Sequence, residues 1–165
     1  MAALEPGTKA PDFTLPTMEG SQLSLSEALA RGPVVAAFFK ISCPTCQYAF
    51  PFLQRIYEAH GNKGVTIVGI SQNPKKDTVA FTKEYKITFP VLLDDTNSYP
   101  VSNSYGLTNV PTIFWIAQDG EIEISSVGWI KKDMEEFNQR AADASADRAK
   151  PLFRSNEHIA DFRAG

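Results

Sequence analysis

The chain has 165 residues, 43% hydrophobic and 21% charged, with two cysteines and a formal net charge of −3. A chain of that length folds as one domain that buries its own core, so it needs no disulfide framework, and two cysteines would not make one. The slight acidic excess excludes a sequence-independent binder of nucleic acid or of an anionic membrane, which needs a strong basic surplus.

The N-terminal stretch from Met1 to Lys9 has no basic region followed by an apolar run, so it does not read as a secretory signal. The densest apolar run, Pro33 to Phe39, is far shorter than the ~20 residues of a spanning helix. The expected location is the cytoplasm. In a reducing cytosol, paired cysteines point to catalysis, redox sensing or metal binding before structure.

Asp12 to Leu15 predicts a short strand, with a turn at Met18-Glu19-Gly20-Ser21 and a second short strand around Leu23. Ser24-Leu25-Ser26-Glu27 has the form of a capping box, which opens a helix, and Gly32 closes it. Pro33 to Phe39 is apolar on both faces, as in a central strand covered on both sides. It runs directly into Cys43-Pro44-Thr45-Cys46. From Pro44 to His60, the residues Cys46, Phe50, Leu53, Tyr57 and His60 recur at three- and four-residue intervals, which predicts a helix, kinked by Pro51.

Val65 to Ser71 predicts a second buried strand. Asn73 is then placed to cap a helix with Pro74 at its first position and Val79, Thr82 and Tyr85 along one face. Phe89 to Leu93 follows as a strand, and a short helix spans Tyr99 to Tyr105. Val110 to Ile116 and Ile122 to Val127 form a hairpin across Asp119-Gly120. A last helix from about Lys131 carries Met134, Phe137 and Ala141 inward. The resulting division is a domain over residues 1–141 and a C-terminal tail over 142–165, either docked or disordered. The apolar residues of Pro151 to Arg154 and Ile159 to Arg163 are too regular for a pure solubility tail, and docking near the active site and a flexible end stand as equal expectations.

The alternation of strands and helices predicts a central sheet flanked by helices, with the cysteine pair at the carboxyl end of a buried strand. There the first-turn amides of the next helix favour a thiolate on Cys43, and Lys40 just upstream adds positive charge as the candidate tuning group. A spacing of three puts Cys46 one turn on, in reach to close a ring with Cys43 and release a mixed disulfide. A zinc site wants four Cys or His ligands, whereas only His60 and His158 accompany the pair, and His60 reads as a solvent-facing or capping residue.

These residues resemble the thioredoxin superfamily, in its redoxin branch of TlpA-like thiol-disulfide oxidoreductases and AhpC/TSA-type peroxiredoxins. The resemblance runs from about Pro6 to Gln139. It is carried by the opening Pro6 to Leu15, the strand into Cys43-Pro44-Thr45-Cys46, Pro51, Val68 to Ser71, Ile87 to Asp94 and Val110-Pro111-Thr112. It implies a thioredoxin-like α/β fold, a central mixed sheet flanked by helices with an N-terminal β-hairpin extension. It implies a cis bond before Pro111, with the backbone of Val110 pairing with the substrate chain and Pro44 and Thr45 also facing the substrate. Three positions depart from the family pattern. Ala37 stands where thioredoxin has a buried acid, Ser42 replaces the usual tryptophan, and Ala49 stands where some TlpA-like reductases have a glutamate. The proton acceptor for Cys46 is then water, Lys40 or a more distant carboxylate.

The expected activity is thiol-disulfide exchange, with Cys43 as nucleophile and Cys46 resolving. The expected partners are a protein or small-molecule disulfide as substrate and a thioredoxin-type or other dithiol as electron donor. No cofactor, metal, nucleic acid or membrane is expected, and the chain is expected to be a monomer. One alternative is a peroxiredoxin-like thiol peroxidase acting on hydroperoxides as an antioxidant. Against it, Lys40 replaces the proline of that family's loop, the spacing to Cys46 is one short, and Pro111 stands at the strand where that family keeps an arginine. The other is a non-catalytic metal-binding module, whose relatives keep three residues between the cysteines and a distal histidine. The final Phe162-Arg163-Ala164-Gly165 also resembles a stretch after which some relatives carry a further cysteine or selenocysteine.

Overall fold

The computed structural model describes residues 2–61 and 63–165. Five strands form the central sheet: β3 (Val34–Phe39), β4 (Thr66–Ser71), β5 (Val91–Leu93), β6 (Thr112–Ile116) and β7 (Ile122–Val127). Their order is β5-β4-β3-β6-β7, with β3, β4 and β5 parallel and β6 and β7 antiparallel to their neighbours. The sheet is therefore mixed. Before it, β1 (Thr14–Pro16) and β2 (Gln22–Ser24) form an antiparallel hairpin. Helix α1 (Leu25–Leu29) opens on Ser24, whose hydroxyl accepts from Glu27 N at 3.2 Å, the forward half of the expected capping box.

The sequence of β3 explains the two-layered core. Its side chains alternate between faces, and all six are apolar and fully buried. Val35, Ala37 and Phe39 pack with α2 (Pro44–His60), Phe81 of α3 (Lys75–Glu84) and Met134 and Phe137 of α5 (Lys131–Ala144). Val34, Ala36 and Phe38 face α1, the N-terminal segment and Tyr105, which follows α4 (Pro100–Ser104). Tyr105 closes that layer, its hydroxyl donating to the Pro11 carbonyl at 2.7 Å.

Two expectations are corrected. Asn73 does not cap α3: the helix begins after Pro74 with no side-chain cap, and the Asn73 carboxamide is directed elsewhere. His60 does not face solvent. It is fully buried in the last turn of α2, with Nδ1 3.5 Å from the Asp147 carboxylate.

Beyond α5 the chain turns back across α2. Leu152 is buried and Phe153 packs edge-on against Phe52 and Trp129. Trp129 belongs to a two-residue strand β8 (Trp129–Ile130), paired with β9 (Phe162–Arg163). Its indole N–H donates to the Ala160 carbonyl at 2.6 Å. The Arg55 guanidinium clamps Glu157 through both carboxylate oxygens, at 2.8 and 2.6 Å.

That hydrogen bond from Arg55, aided by the Arg154 amide, holds the Glu157 carboxyl at about 2, below its ordinary 4.5. A depressed carboxylate stabilises the docked tail above the unfolded value, and the contribution disappears as pH falls through the folded one. Tail docking is therefore expected to weaken between pH 4.5 and 2. Hydrogen exchange of the 152–163 amides should show protection lost across that window. In Glu157→Gln protection should be lower already at neutral pH and insensitive to it, and equal acid sensitivity in both proteins would refute the assignment.

Candidate active site

Sheet order brings the site together. β6 runs antiparallel beside β3, with Phe38 opposite Thr112, so the end of β3 and the start of β6 lie side by side. The loop from Lys40 to Cys43 and the segment Asn109 to Pro111 therefore meet. The Val110–Pro111 peptide bond is cis. The Asn109 carbonyl accepts from Thr112 Oγ1 at 2.8 Å and that of Pro111 from Gly128 N at 2.8 Å, which fixes the segment on both sides.

Cys43 is the N-cap of α2. Its Sγ accepts from Cys46 N at 3.1 Å, taking up one of the first-turn amides that have no helical partner, and donates to the Val110 carbonyl at 3.4 Å. Cys43 is half-buried, whereas Cys46 is fully buried in the core cluster. Both cysteines are free thiols. Burial, then the hydrogen bond to Cys43, pushes the Cys46 thiol far above the ordinary thiol range. Ala37 and Ala49 pack in that same cluster, so both positions where the resemblance would place an acid are apolar.

The preceding loop is pinned by two amides. Asn73 Oδ1 accepts from Ile41 N at 2.9 Å, and Gln47 Nε2 donates to the Ile41 carbonyl at 2.9 Å. β4 lies parallel to β3, which carries Asn73 to the level of Ile41. Sequence reasoning gave Asn73 the duty of a helix cap and Gln47 none, since nothing within a few residues of Asn73 announces a partner 32 positions away. Lys40 is exposed, and its carbonyl accepts from Cys43 N at 3.3 Å. Pro44 is exposed at the first turn of α2. Thr45 is buried, because its hydroxyl donates to the Ala164 carbonyl at 2.6 Å.

Beside Val110 opens a cavity of about 360 Å³ lined by Lys40, Gln72, Tyr99, Asn109 and Gly165 among others. Among the described residues no three His, Cys, Asp or Glu side chains come together as a metal site, and no helix is long and apolar enough to cross a membrane.

A thioredoxin-like sheet that sets a dithiol at a helix start opposite a cis-proline defines a thiol-disulfide oxidoreductase. The family model described as the AhpC/TSA family matches residues 6–125, and the chain belongs to that family. It is similar to the thiol-disulfide oxidoreductase ResA of Halalkalibacterium halodurans, 30% identical over 133 residues that cover 79% of this chain and 74% of that one. The ResA of Bacillus subtilis is 29% identical over 133 residues, covering 80% and 73%. In three dimensions the chain matches the thioredoxin domain of a thiol-disulfide oxidoreductase from Bacteroides vulgatus with a TM-score of 0.74 at 24% identity, over 84% and 98% of the two chains.

Proposed function

We propose that the protein is a dithiol reductase of disulfides in which Cys43 attacks and Cys46 resolves. The observation that carries the assignment is the asymmetry of the pair. Cys43 Sγ is reachable and receives an N–H hydrogen bond from Cys46, while the Cys46 thiol is buried and held protonated. The Cys43 thiolate attacks one substrate sulfur, and the substrate's first thiolate leaves. Cys46 then attacks Cys43 Sγ, closing the Cys43–Cys46 disulfide and expelling the second substrate thiolate. With alanine at positions 37 and 49, the Cys46 proton passes to the departing substrate thiolate. Two electrons move from the pair to the substrate, and a thioredoxin-type or other dithiol returns them.

Val110 and Pro111 bound the approach to Cys43 on one side and Pro44 and Thr45 on the other, and the substrate disulfide reaches the sulfur between them. Lys40 contributes positive charge at the mouth of the site. The reading takes the protein as a cytoplasmic monomer, where the glutathione poise keeps such a pair reduced.

The test is single turnover. One equivalent of reduced protein mixed with oxidised glutathione should give the Cys43–Cys46 disulfide and two glutathione thiols. Hydrogen peroxide should oxidise the pair more slowly. Fast peroxide consumption with no disulfide reduction would replace this reading by that of a thiol peroxidase.

A further inference from the structure

The last residues of the chain lie on the dithiol site. β9 pairs with β8, and the Asp161 carbonyl accepts from Lys131 N at 2.9 Å. The Ala160 amide donates to the Tyr48 hydroxyl at 3.3 Å, and the Arg163 guanidinium stacks on the Tyr48 ring at 4.5 Å. From there Ala164 takes the Thr45 hydroxyl. Gly165 presses on Val110 so closely that a Cβ placed on it would sit 2.5 Å from the Val110 carbonyl oxygen, the same oxygen that faces Cys43 Sγ. Glycine at 128 is needed for the same path: its φ is +77°, and a Cβ there would lie 2.6 Å from the Arg163 carbonyl.

The strap thus holds both positions that an extended polypeptide would have to cross to lay a disulfide on Cys43. One is the dipeptide between the cysteines, and the other is the backbone of Val110. A polypeptide docks along such a backbone edge, and here the strap lies across it: the Thr45 hydroxyl is bonded to the Ala164 carbonyl and the Val110 carbonyl lies against Gly165. A small disulfide needs only the half-exposed sulfur and a place for its polar ends. The cavity beside Val110, with Gly165 as part of its wall, offers that place, and the basic Lys40 and the polar Gln72, Asn109 and Tyr99 are among the residues that line it. That lining suits carboxylates.

We propose that residues 161–165 are a specificity strap that excludes polypeptide disulfides and leaves the Lys40 cavity to receive a low-molecular-weight disulfide bearing carboxylates. This rests on the reductase reading above, and the exchange balances as written there, with two small thiols released for each Cys43–Cys46 disulfide formed.

The experiment compares oxidised glutathione and insulin as substrates. The full chain should favour glutathione. Deleting 161–165 keeps the Leu152, Phe153, Glu157 and Ala160 contacts, and should raise the rate with insulin at least tenfold, while the rate with glutathione, whose cavity loses its Gly165 wall, should not rise. Arg163→Glu, which removes the stacking on Tyr48 without shortening the chain, should move insulin reduction in the same direction by a smaller factor, and it decides the matter if the deletion fails to fold. Lys40→Gln should raise KM for oxidised glutathione severalfold with little change in kcat. Insulin rates unchanged by releasing the strap, or both substrates rising together, overturn the proposal. A full chain that reduces neither substrate overturns the reductase reading itself.

Discussion

A Cys43→Ser variant loses disulfide reduction by at least about a thousandfold, because a hydroxyl stays protonated where a thiolate has to attack. Cys46→Ser behaves differently. It keeps the first attack and stops there, accumulating a mixed disulfide on Cys43 that intact mass spectrometry reads as one added substrate thiol per chain. The difference follows from access, since Cys43 is half-exposed and Cys46 has no exposed surface. Turnover by Cys46→Ser at the rate of the native protein, or an adduct on Cys46 in Cys43→Ser, would contradict the assignment.

Trp129→Ala gives the largest expected loss of stability. The indole is fully buried between Tyr48, Phe52 and Phe153, with ring centroids 4.8, 5.2 and 6.1 Å away, and its N–H is bonded to Ala160. Removing so large a buried side chain costs about 3–5 kcal/mol. For a chain of this size that lowers Tm by roughly 6–20 °C. The Ala160 carbonyl also loses its partner, so the 152–163 segment should become cleavable by protease while the central sheet stays resistant. A melting curve shifted by less than about 2 °C would show that Phe153 and Tyr48 close over the gap.

Strand β3 was legible because a six-residue apolar run rich in Val and Phe, directly after Gly32-Pro33, is short and punctuated as a strand with both faces covered. Helix α2 was legible to its ends from spacing alone, and it runs through Pro51 as one element. The cis bond at Pro111 came from resemblance, since a proline at a strand start reads the same locally in either isomer. Asn73 and His60 were misread for one common reason. The Asn73 partner is Ile41 and the His60 neighbour is Asp147, both far along the chain, and local rules of capping and exposure cannot see them.

The strand pair β8–β9 is two residues a side, too short to carry any period. The apolar residues of the tail were visible, but their directions were not: Leu152 goes inward while Phe162 stays 63% exposed.

By itself, then, the sequence determined the reactive pair and its place at a helix start, because hydrophobic period and the CxxC spacing are local properties. The tertiary structure decided which cysteine is reachable, what fixes the loop before it, and where residues 160–165 run. Those depend on β6 lying antiparallel beside β3 and on Trp129 gripping Ala160, contacts whose partners no short window of sequence contains.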